Sequence, residues 1–394
     1  MPRLLIVTTN FPRWEGDPHS PWLVHLLKLL RDRGFEIEIL APAYAGNRSH
    51  TIYGMRVHRF RYAPARWETL THDEGAPNKI RRNPLYLFLL PLYLLAGMLA
   101  AWRVGRGRFD LIHVHWPMPQ GLLGLVARWA GGGRLVTTFY GADLVMSARF
   151  RAVRPFVRFF ARQCEDIAAI SSFTARETVK ITGINPRIIP YGIELPPIDA
   201  AAANESGLIL NVGRLVERKG QVYLIEAMSY LAHRPEAHLI IVGEGHERPL
   251  LEEAIHRHGL EERVKLAGRV SDEVLDRLYE RCQVFVLPAI VDSAGDTEML
   301  GMVSLEAMRF CKPVVATEVG GISDIVVTGE TGVLVGQRDP HALADAIDRL
   351  LEDPALAERL GHGGYEFARQ HFAWPAVLDQ TLALYAAATP AVPA

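Results

Sequence analysis

The chain has 394 residues, of which 49% are hydrophobic and 22% are charged, and its formal net charge is −1. This length predicts two domains of similar size, and the composition excludes a disordered or fibrous chain. The three cysteines are too few and too scattered for a disulfide framework or a zinc site, which indicates a reducing compartment.

The small net charge conceals opposite charges in the two halves. Residues 1–195 contain 26 Lys and Arg against 14 Asp and Glu, a balance of +12, whereas residues 196–394 contain 17 against 30, a balance of −13. This asymmetry predicts that the basic half faces an anionic partner. The alternative is a dipolar protein whose halves attract each other.

Short apolar segments alternate with amphipathic helical segments along the first half, a pattern typical of parallel α/β sheets. Residues 1–9 predict a buried strand rather than a secretory signal, because their apolar core is short and lacks a small-residue cleavage site. Residues 20–34 predict a helix with Ser20 as its cap and Gly34 as its end. The predicted strands of this half are residues 4–9, 35–42, 110–115, 134–139 and 167–171.

A segment rich in Pro, Ala, Asn and Gly, residues 190–207, predicts a linker before a second series of strands. We therefore predict two doubly wound domains, 1–195 and 196–372, that face each other across a cleft. A last helix at 373–394 can cross back to the first domain. Ligands of such sheets bind beyond the carboxyl ends of the strands. The predicted strands of this half are residues 207–213, 237–243, 264–268, 284–288, 313–317 and 331–335.

Two loops of the second half carry groups suited to a diphosphate. In "NVGRLVERKG", Arg214 and Lys219 flank a turn that follows a strand, and guanidinium and ammonium groups beside a helix start favour phosphate binding. In "VGEGHER", Gly243 and Gly245 permit close backbone approach to a ligand. The sequence contains neither the G-x-G-x-x-G fingerprint nor the G-x-x-x-x-G-K-[ST] loop, which argues against a dehydrogenase and a P-loop enzyme.

A pair of glutamates in "GDTEMLGMVSLEAM" indicates a third part of the site. Glu298 and Glu306 are separated by seven residues, and Gly301 between them argues against one continuous helix. We expect a loop that holds Glu298, a turn at Gly301, and a helix from about Met302 that carries Glu306. Both acids then face one pocket beside the N–H groups of a helix start.

The order "GRLVERKG", "VGEGHER", "GRV" at 268–270, "VLPAI", "TEMLGMVSLEAM" and "KPVVATEVGG" resembles the family 4 retaining glycosyltransferases of the GT-B fold. The resemblance covers nearly the whole chain and is strongest over residues 207–340. It implies that Glu306 binds the ribose of a nucleotide and that Glu298 binds a hydroxyl of the donor sugar. The other donor contacts implied are Gly243, Gly245, Val270, Gly301, Met302 and Val303.

In the first half, the same resemblance implies that His115 of "HVHWPMP" lies near the donor sugar. We expect His113 to point to the opposite face as a packing histidine. Tyr140 of "TTFYGADL" stands where the family commonly has a histidine, whereas Asp143 keeps its place. In the loop of residues 8–22, which normally carries a glycine pair, Gly16 is the one glycine. Gly16, Tyr140 and Asp143 are predicted acceptor or phosphate contacts.

The implied reaction moves a sugar from a nucleotide-diphosphate donor to a hydroxyl acceptor with retention. Arg214 and Lys219 stabilise the leaving group, a departing phosphate oxygen takes the acceptor proton, and neither a metal nor a cofactor is expected. One alternative is a nucleotide-sugar epimerase or phosphorylase of similar fold, which the glutamate pattern disfavours. The other is a non-catalytic nucleotide-sugar-binding scaffold, against which the intact charged residues count.

Residues 83–102 form an apolar run of nearly membrane-spanning length, flanked by Lys79, Arg81 and Arg82 and by Arg103, Arg106 and Arg108. Pro91 and the strand that follows disfavour a span, so we expect a packed helix with one face on lipid. Residues 149–163 add arginines at helical spacing, with an ordinary amphipathic helix as the alternative. We predict a cytoplasmic protein on an anionic membrane surface, with a lipid-linked or cell-surface glycan acceptor and no nucleic-acid partner.

Overall fold

The computed structural model describes residues 1–17, 19–72, 79–80, 82–195 and 204–388. The chain divides into two compact units, Met1–Pro190 together with the segment from Val377 onward, and Tyr191–Ala376. Residues 196–203 of the predicted linker and Arg81 of the predicted basic flank lie outside the described residues.

The first unit is built on an eight-stranded sheet in the order β3-β4-β2-β1-β5-β6-β7-β8, parallel except for the β3–β4 pair. All five predicted strands of this half are present. The sequence reasoning missed β3, β4 and β8, although β4 alternates buried and exposed side chains after a tight turn at Tyr53 and Gly54. The strands are β1 Arg3–Val7, β2 Glu36–Pro42, β3 His50–Ile52, β4 Met55–Phe60, β5 Leu111–His115, β6 Arg134–Phe139, β7 Asp166–Ala169 and β8 Arg187–Ile188.

Helices cover both faces of this sheet. The first helix confirms the prediction at 20–34, but Ser20 has left-handed backbone angles and its side chain makes no cap hydrogen bond, so the predicted capping role is wrong. Helix α2 packs against α3, with Gly97 and Gly105 allowing close contact. The helices are α1 Pro21–Asp32, α2 Leu89–Gly105, α3 Pro117–Gly131, α4 Ala142–Arg149, α5 Arg154–Gln163 and α6 Ser172–Thr182.

The second unit contains a six-stranded parallel sheet in the order β11-β10-β9-β12-β13-β14. All six predicted strands are present. The central strands β9, β12 and β13 are short apolar runs buried on both faces, whereas the edge strands β11 and β14 are mostly half-buried. The strands are β9 Leu208–Val212, β10 His238–Val242, β11 Val264–Gly268, β12 Val284–Leu287, β13 Val314–Thr317 and β14 Gly332–Val335. The helices are α7 Gln221–Tyr230, α8 Arg248–Arg257, α9 Asp272–Arg281, α10 Met302–Met308, α11 Pro340–Glu352, α12 Pro354–His371 and α13 Trp374–Ala388.

Both sheets are doubly wound, and the direction of strand addition reverses once in each. The reversal falls between β1 and β5 in the first unit and between β9 and β12 in the second. Loops that leave the carboxyl ends of strands at such a reversal form a crevice in which α/β proteins bind ligands. His115 ends β5, while the Arg214 and Glu298 loops follow β9 and β12, so the predicted site residues lie at these two positions.

Candidate functional site

The loops after β9 and β12 are joined by backbone contacts. After β9, residues 217–219 form a single 3-10 turn that ends at Gly220, which has a φ of 63°. A Cβ at Gly220 would lie 2.0 Å from the carbonyl oxygen of Pro288, so only glycine allows the turn to approach the second loop this closely. The amide of Ile290 donates to the carbonyl oxygen of Arg218 at 2.9 Å, which completes the junction.

Glu298 lies largely buried at this junction, between two cations. Its Oε2 is 2.6 Å from Nζ of Lys219 and 2.9 Å from a guanidinium nitrogen of Arg218. Burial raises the pKa of Glu298, but the charges of Lys219 and Arg218 outweigh that effect, and the pKa lies below its usual value of 4.5. The carboxylate is therefore ionised at neutral pH.

The expected geometry around Gly301 is confirmed. Glu298 lies in the loop, Gly301 turns the chain with a φ of 92°, and α10 begins at Met302 and carries Glu306. Glu306 accepts a hydrogen bond of 2.8 Å from the hydroxyl of Tyr279, and burial raises the pKa of its carboxyl group. The charge of Lys219 acts to lower the pKa of both glutamates, although burial outweighs this effect at Glu306. Lys219 therefore lies within electrostatic range of both acids.

Arg214 belongs to the same group of charges. Arg214 is open to solvent on one side, but neighbouring protein displaces part of the water around its guanidinium. This partial desolvation, followed by the like charge of Arg218, lowers the pKa of Arg214, while Glu298 and Asp296 act in the opposite direction. The structure thus brings together Arg214, Lys219 and Glu298, as the sequence predicted. Sequence reasoning assigned no role to Arg218, although it stands in the quoted motif directly before Lys219.

The remaining predicted donor residues supply no charged side chain. A Cβ on Gly243 would lie 2.0 Å from the carbonyl oxygen of Gly213, and one on Gly245 would lie 2.0 Å from that of Leu215. The close approach that these glycines permit in the structure is therefore between two protein backbones. Val270, Met302 and Val303 are half-buried and pack against an apolar core cluster of the unit.

In the first unit, His115 lies buried at the end of β5. Its Nδ1 is 2.5 Å from the hydroxyl of Tyr140, and burial together with the neighbouring His113 holds its pKa well below the usual value. The prediction that His113 points to the opposite face is wrong. The two rings stack at 4.1 Å, because positions two apart on a strand share a face.

His113 is a satisfied packing histidine, as expected. Its ring nitrogens are 2.8 Å from the hydroxyls of Tyr385 and Thr138, and burial lowers its pKa to about 3. Tyr385 belongs to α13, so the last helix supplies a partner to the sheet of the first unit.

Asp143 lies in the first turn of α4, close to Tyr140. Its Oδ1 accepts the backbone N–H groups of Tyr140 at 3.2 Å and Gly141 at 3.0 Å, which holds this turn in shape. Burial raises the pKa of Asp143 to about 6 in spite of these hydrogen bonds. Gly16 lies exposed in a different turn, where its N–H donates to the hydroxyl of Tyr53 at 2.7 Å.

Several residues around His115 carry no role in the sequence reasoning. The ring centroid of Trp22 lies 5.9 Å from that of His115 and 5.3 Å from that of Tyr140, and Trp116 lies 4.6 Å from Tyr140. Trp116 has a φ of 59°, a left-handed conformation that a bulky residue rarely adopts. The feature of the sequence that could have indicated these residues is the position of the two tryptophans, one at the start of a predicted helix and one directly after a predicted strand. Both are half-buried in the structure.

Among the residues that the structure describes, no three His, Cys, Asp or Glu side chains are grouped so that they could hold a metal ion. One helical stretch in those residues, Pro84–Gly105, has the length and apolar composition of a membrane-crossing helix, and 17% of its most apolar window is buried.

Two family models match the chain. The model described as Glycosyltransferase Family 4 matches residues 22–195, and the model described as Glycosyl transferases group 1 matches residues 198–367. A GDP-mannose-dependent alpha-(1-6)-phosphatidylinositol monomannoside mannosyltransferase from Mycobacterium tuberculosis is 30% identical over 389 residues, which cover 95% of each chain.

Solved structures share the fold. Sucrose-phosphate synthase from Thermosynechococcus elongatus matches with a TM-score of 0.75 and 24% identity over 98% of both chains. HepE from Anabaena, in complex with UDP and glucose, matches with a TM-score of 0.69 and 20% identity over 98% of this chain and 99% of its own. The matched models, the full-length relative and the doubly wound sheets together show that this chain is a glycosyltransferase and belongs to the family 4 glycosyltransferases of the GT-B fold.

Proposed function

We propose that this glycosyltransferase moves a sugar from a nucleotide-diphosphate sugar to a hydroxyl of a glycan or lipid-linked acceptor, with retention of configuration. The observation that carries the proposal is the junction of the β9 and β12 loops. There Arg214 and Lys219 supply positive charge for a diphosphate, beside an ionised Glu298 that can accept a sugar hydroxyl.

The chemistry requires few protein groups. As the bond between the anomeric carbon and the phosphate oxygen breaks, negative charge develops on the nucleoside diphosphate, and Arg214 and Lys219 stabilise it. The acceptor oxygen attacks from the same face, and the departing phosphate oxygen takes its proton. Glu306, which burial keeps less acidic than usual, is proposed to bind the ribose, and neutral His115 is proposed to lie near the donor sugar.

Relatives suggest where to begin with substrates. The Mycobacterium tuberculosis relative is named for GDP-mannose and a phosphatidylinositol monomannoside, and the HepE structure holds UDP and glucose. We propose a GDP- or UDP-sugar as donor and a lipid-linked glycan as acceptor, with GDP-mannose the first donor to test.

The experiment is a thermal-shift panel of UDP-, GDP- and ADP-sugars, followed by transfer to acceptor glycans with the stabilising donor. We expect one donor class to raise Tm, and the product to keep the donor's anomeric configuration by NMR. Transfer is expected to persist in EDTA, since basic side chains can neutralise the diphosphate. An inverted product would overturn the retaining mechanism, an isomerised donor without acceptor would favour an epimerase, and binding without transfer would favour a scaffold.

We further propose that the protein binds an anionic membrane surface through α2. One side of this helix packs in the unit through Tyr93, Gly97, Ala101 and Gly105. The other side and the turn before it expose large apolar side chains, with Phe88 75% and Leu95 61% exposed. The other exposed side chains are Leu85, Leu87, Leu92, Leu99 and Trp102.

The charges around this face fit anionic lipid. Arg103, Arg106 and Arg108 at the end of α2 are exposed, and each basic residue near an anionic bilayer contributes about 1 kcal/mol. Helix α5 buries Phe160, but it exposes Phe159 beside Arg158 and Arg162. Because α2 is packed on one side, surface binding fits this helix better than a span, which would expose its packed glycines to lipid.

Flotation with vesicles of phosphatidylcholine and phosphatidylserine tests this. We expect the protein to float at low salt and to be released as salt rises, because screening weakens the attraction. Replacing Leu92, Leu95 and Leu99 together by Ser should abolish flotation, whereas Leu250→Ser, an exposed leucine of the other unit, should not. A wild-type protein that ignores anionic vesicles at low salt would overturn membrane binding.

A further inference from the structure

We infer that Arg218 is a positioning residue: it holds the loop of residues 288–298 so that Glu298 presents its second oxygen, Oε1, to a hydroxyl of the donor sugar. Arg218 thereby sets how the enzyme distinguishes a nucleotide sugar from the bare nucleotide. The inference rests on the proposed nucleotide-sugar donor.

The first support is where the guanidinium points. Arg218 contacts three consecutive residues of the loop: Oδ2 of Asp296 at 3.7 Å, the carbonyl oxygen of Thr297 at 3.4 Å and Oε2 of Glu298 at 2.9 Å. Its side chain is only 17% exposed. The fork of the guanidinium is therefore directed at the protein's own loop.

The second support is that the same turn holds the other parts of this loop. The carbonyl oxygen of Arg218 accepts the N–H of Ile290, and the carboxylate of Glu217 accepts the N–H of Ser293 at 2.9 Å and its hydroxyl at 2.6 Å. One three-residue turn thus fixes the loop at its beginning, its middle and its end. A loop held in this way keeps its acid in one orientation, which is what selective recognition of a hydroxyl requires.

The third support is a difference between the neighbouring cations. The shortest contacts of Lys219 and Arg218 fall on the same oxygen of Glu298, Oε2. Arg214, by contrast, is exposed beside them. This arrangement assigns Arg214 to the diphosphate and Arg218 to the orientation of Glu298. Lys219 contributes to both.

The test compares a nucleotide with its sugar conjugate on the full chain. Isothermal titration calorimetry measures Kd for GDP and GDP-mannose, and for UDP and UDP-glucose, with wild type, Arg218→Gln and Arg218→Lys. We expect Arg218→Gln to weaken binding of the nucleotide sugar about 10-fold or more, in line with a lost hydrogen bond to a charged group, and to leave the nucleotide Kd nearly unchanged. Its kcat should fall as well.

Arg218→Lys keeps the charge without the fork, so it should recover part of the discrimination between nucleotide and nucleotide sugar. This variant also guards against a Gln variant that fails to fold. Arg248→Gln, which removes a surface ion pair with Glu252 in the same unit, is the matched control and should leave both Kd values unchanged.

Three results would overturn the inference. Equal losses of affinity for nucleotide and nucleotide sugar would place Arg218 on the diphosphate instead. Unchanged discrimination and kcat in Arg218→Gln would mean that the contact orients nothing. A folded wild-type protein that binds none of the four ligands would overturn the proposed donor and this inference with it. The first two results, by contrast, would overturn the role of Arg218 and leave the proposed donor in place.

Discussion

A carboxylate that loses its water on folding is tolerated where neighbouring charges replace the water, and Glu298 has two such neighbours. Lys219 and Arg218 both contact it, so removal of either cation leaves a single compensating charge. At the scale of residues, the proposed donor site therefore centres on an acid, Glu298, that two cations hold ionised and in place.

Lys219→Ala should lower kcat by about 10²–10³, the usual cost of losing one preorganised charge at a developing negative centre. The fold should persist, because Arg218 remains paired with Glu298. Steady-state kinetics with Tm as a check on folding measure this. Lys265→Ala, on the exposed side of β11, is the control, and near wild-type turnover of the Lys219 variant would contradict the site assignment.

Asp143 should make the folded state sensitive to pH. Burial raises its pKa from 3.8 to about 6, so between these values the native protein binds a proton that the unfolded chain has released. Stability therefore falls as pH rises from about 4 to about 6. The Asp143→Asn variant keeps a side-chain oxygen that can accept the same backbone hydrogen bonds. Because its amide does not titrate, it does not lose stability in this way as pH rises.

The free energy of unfolding of Asp143→Asn minus that of wild type should thus grow by about 2–3 kcal/mol from pH 4 to pH 7, at 1.36 kcal/mol for each pKa unit. Urea unfolding at a series of pH values measures the difference, and the titration of His113 and His115 is common to both proteins. A difference that stays flat across this window would contradict the raised pKa.

At the scale of elements, the proposed donor site depends on loops whose backbones approach each other more closely than a side chain on the glycines between them would allow. Gly220 lets the turn after β9 contact the loop after β12, and Gly320 lets the loop after β13 reach the backbone of Glu298, whose carbonyl oxygen accepts the N–H of Gly321 at 3.0 Å. Three loops from adjacent strands therefore meet at one acid.

Two glycines with the same φ of 63° separate backbone strain from this close contact. A Cβ at Gly259 meets nothing within 4 Å, so Gly259→Ala should cost about 1–2 kcal/mol from the left-handed conformation alone. Gly220→Ala should cost more and should also lower kcat, since its Cβ displaces Pro288 and the loop beyond it. Equal stability losses with full activity in both variants would contradict the role of this contact.

At the scale of the whole molecule, the end of the chain is part of the same compact unit as its beginning. Helix α13 starts in the second unit, yet from Val377 onward it is part of the first. Its Tyr385 hydroxyl meets Nδ1 of His113, and its ring packs 5.9 Å from that of Phe35. Residues from the far end of the sequence therefore pack against residues of the first unit.

Tyr385→Phe should destabilise the first unit by about 1–3 kcal/mol, because it leaves a buried ring nitrogen of His113 without its partner. Thermal unfolding of the full chain measures the change. Tyr230→Phe, a surface tyrosine of the second unit, should have little effect. Equal Tm values for wild type and Tyr385→Phe would show that the contact contributes nothing.

The sequence by itself determined the alternating strands and helices of both units and the loop, turn and helix around Glu298. These features follow from periodicity, from glycine at a positive φ and from helix boundaries, all of which depend on neighbours along the chain. The shared face of His113 and His115 also follows from the sequence, because positions two apart on a strand point to the same side.

Only the tertiary structure decided which charges meet. Arg218 and Glu298 are 80 positions apart and His113 and Tyr385 are 272 apart, so no local pattern pairs them. The order of strands in each sheet sets which loops lie side by side, and the direction of each side chain within a turn then selects its partner. Arg218 was therefore visible in the motif, but its contact with Glu298 required the fold.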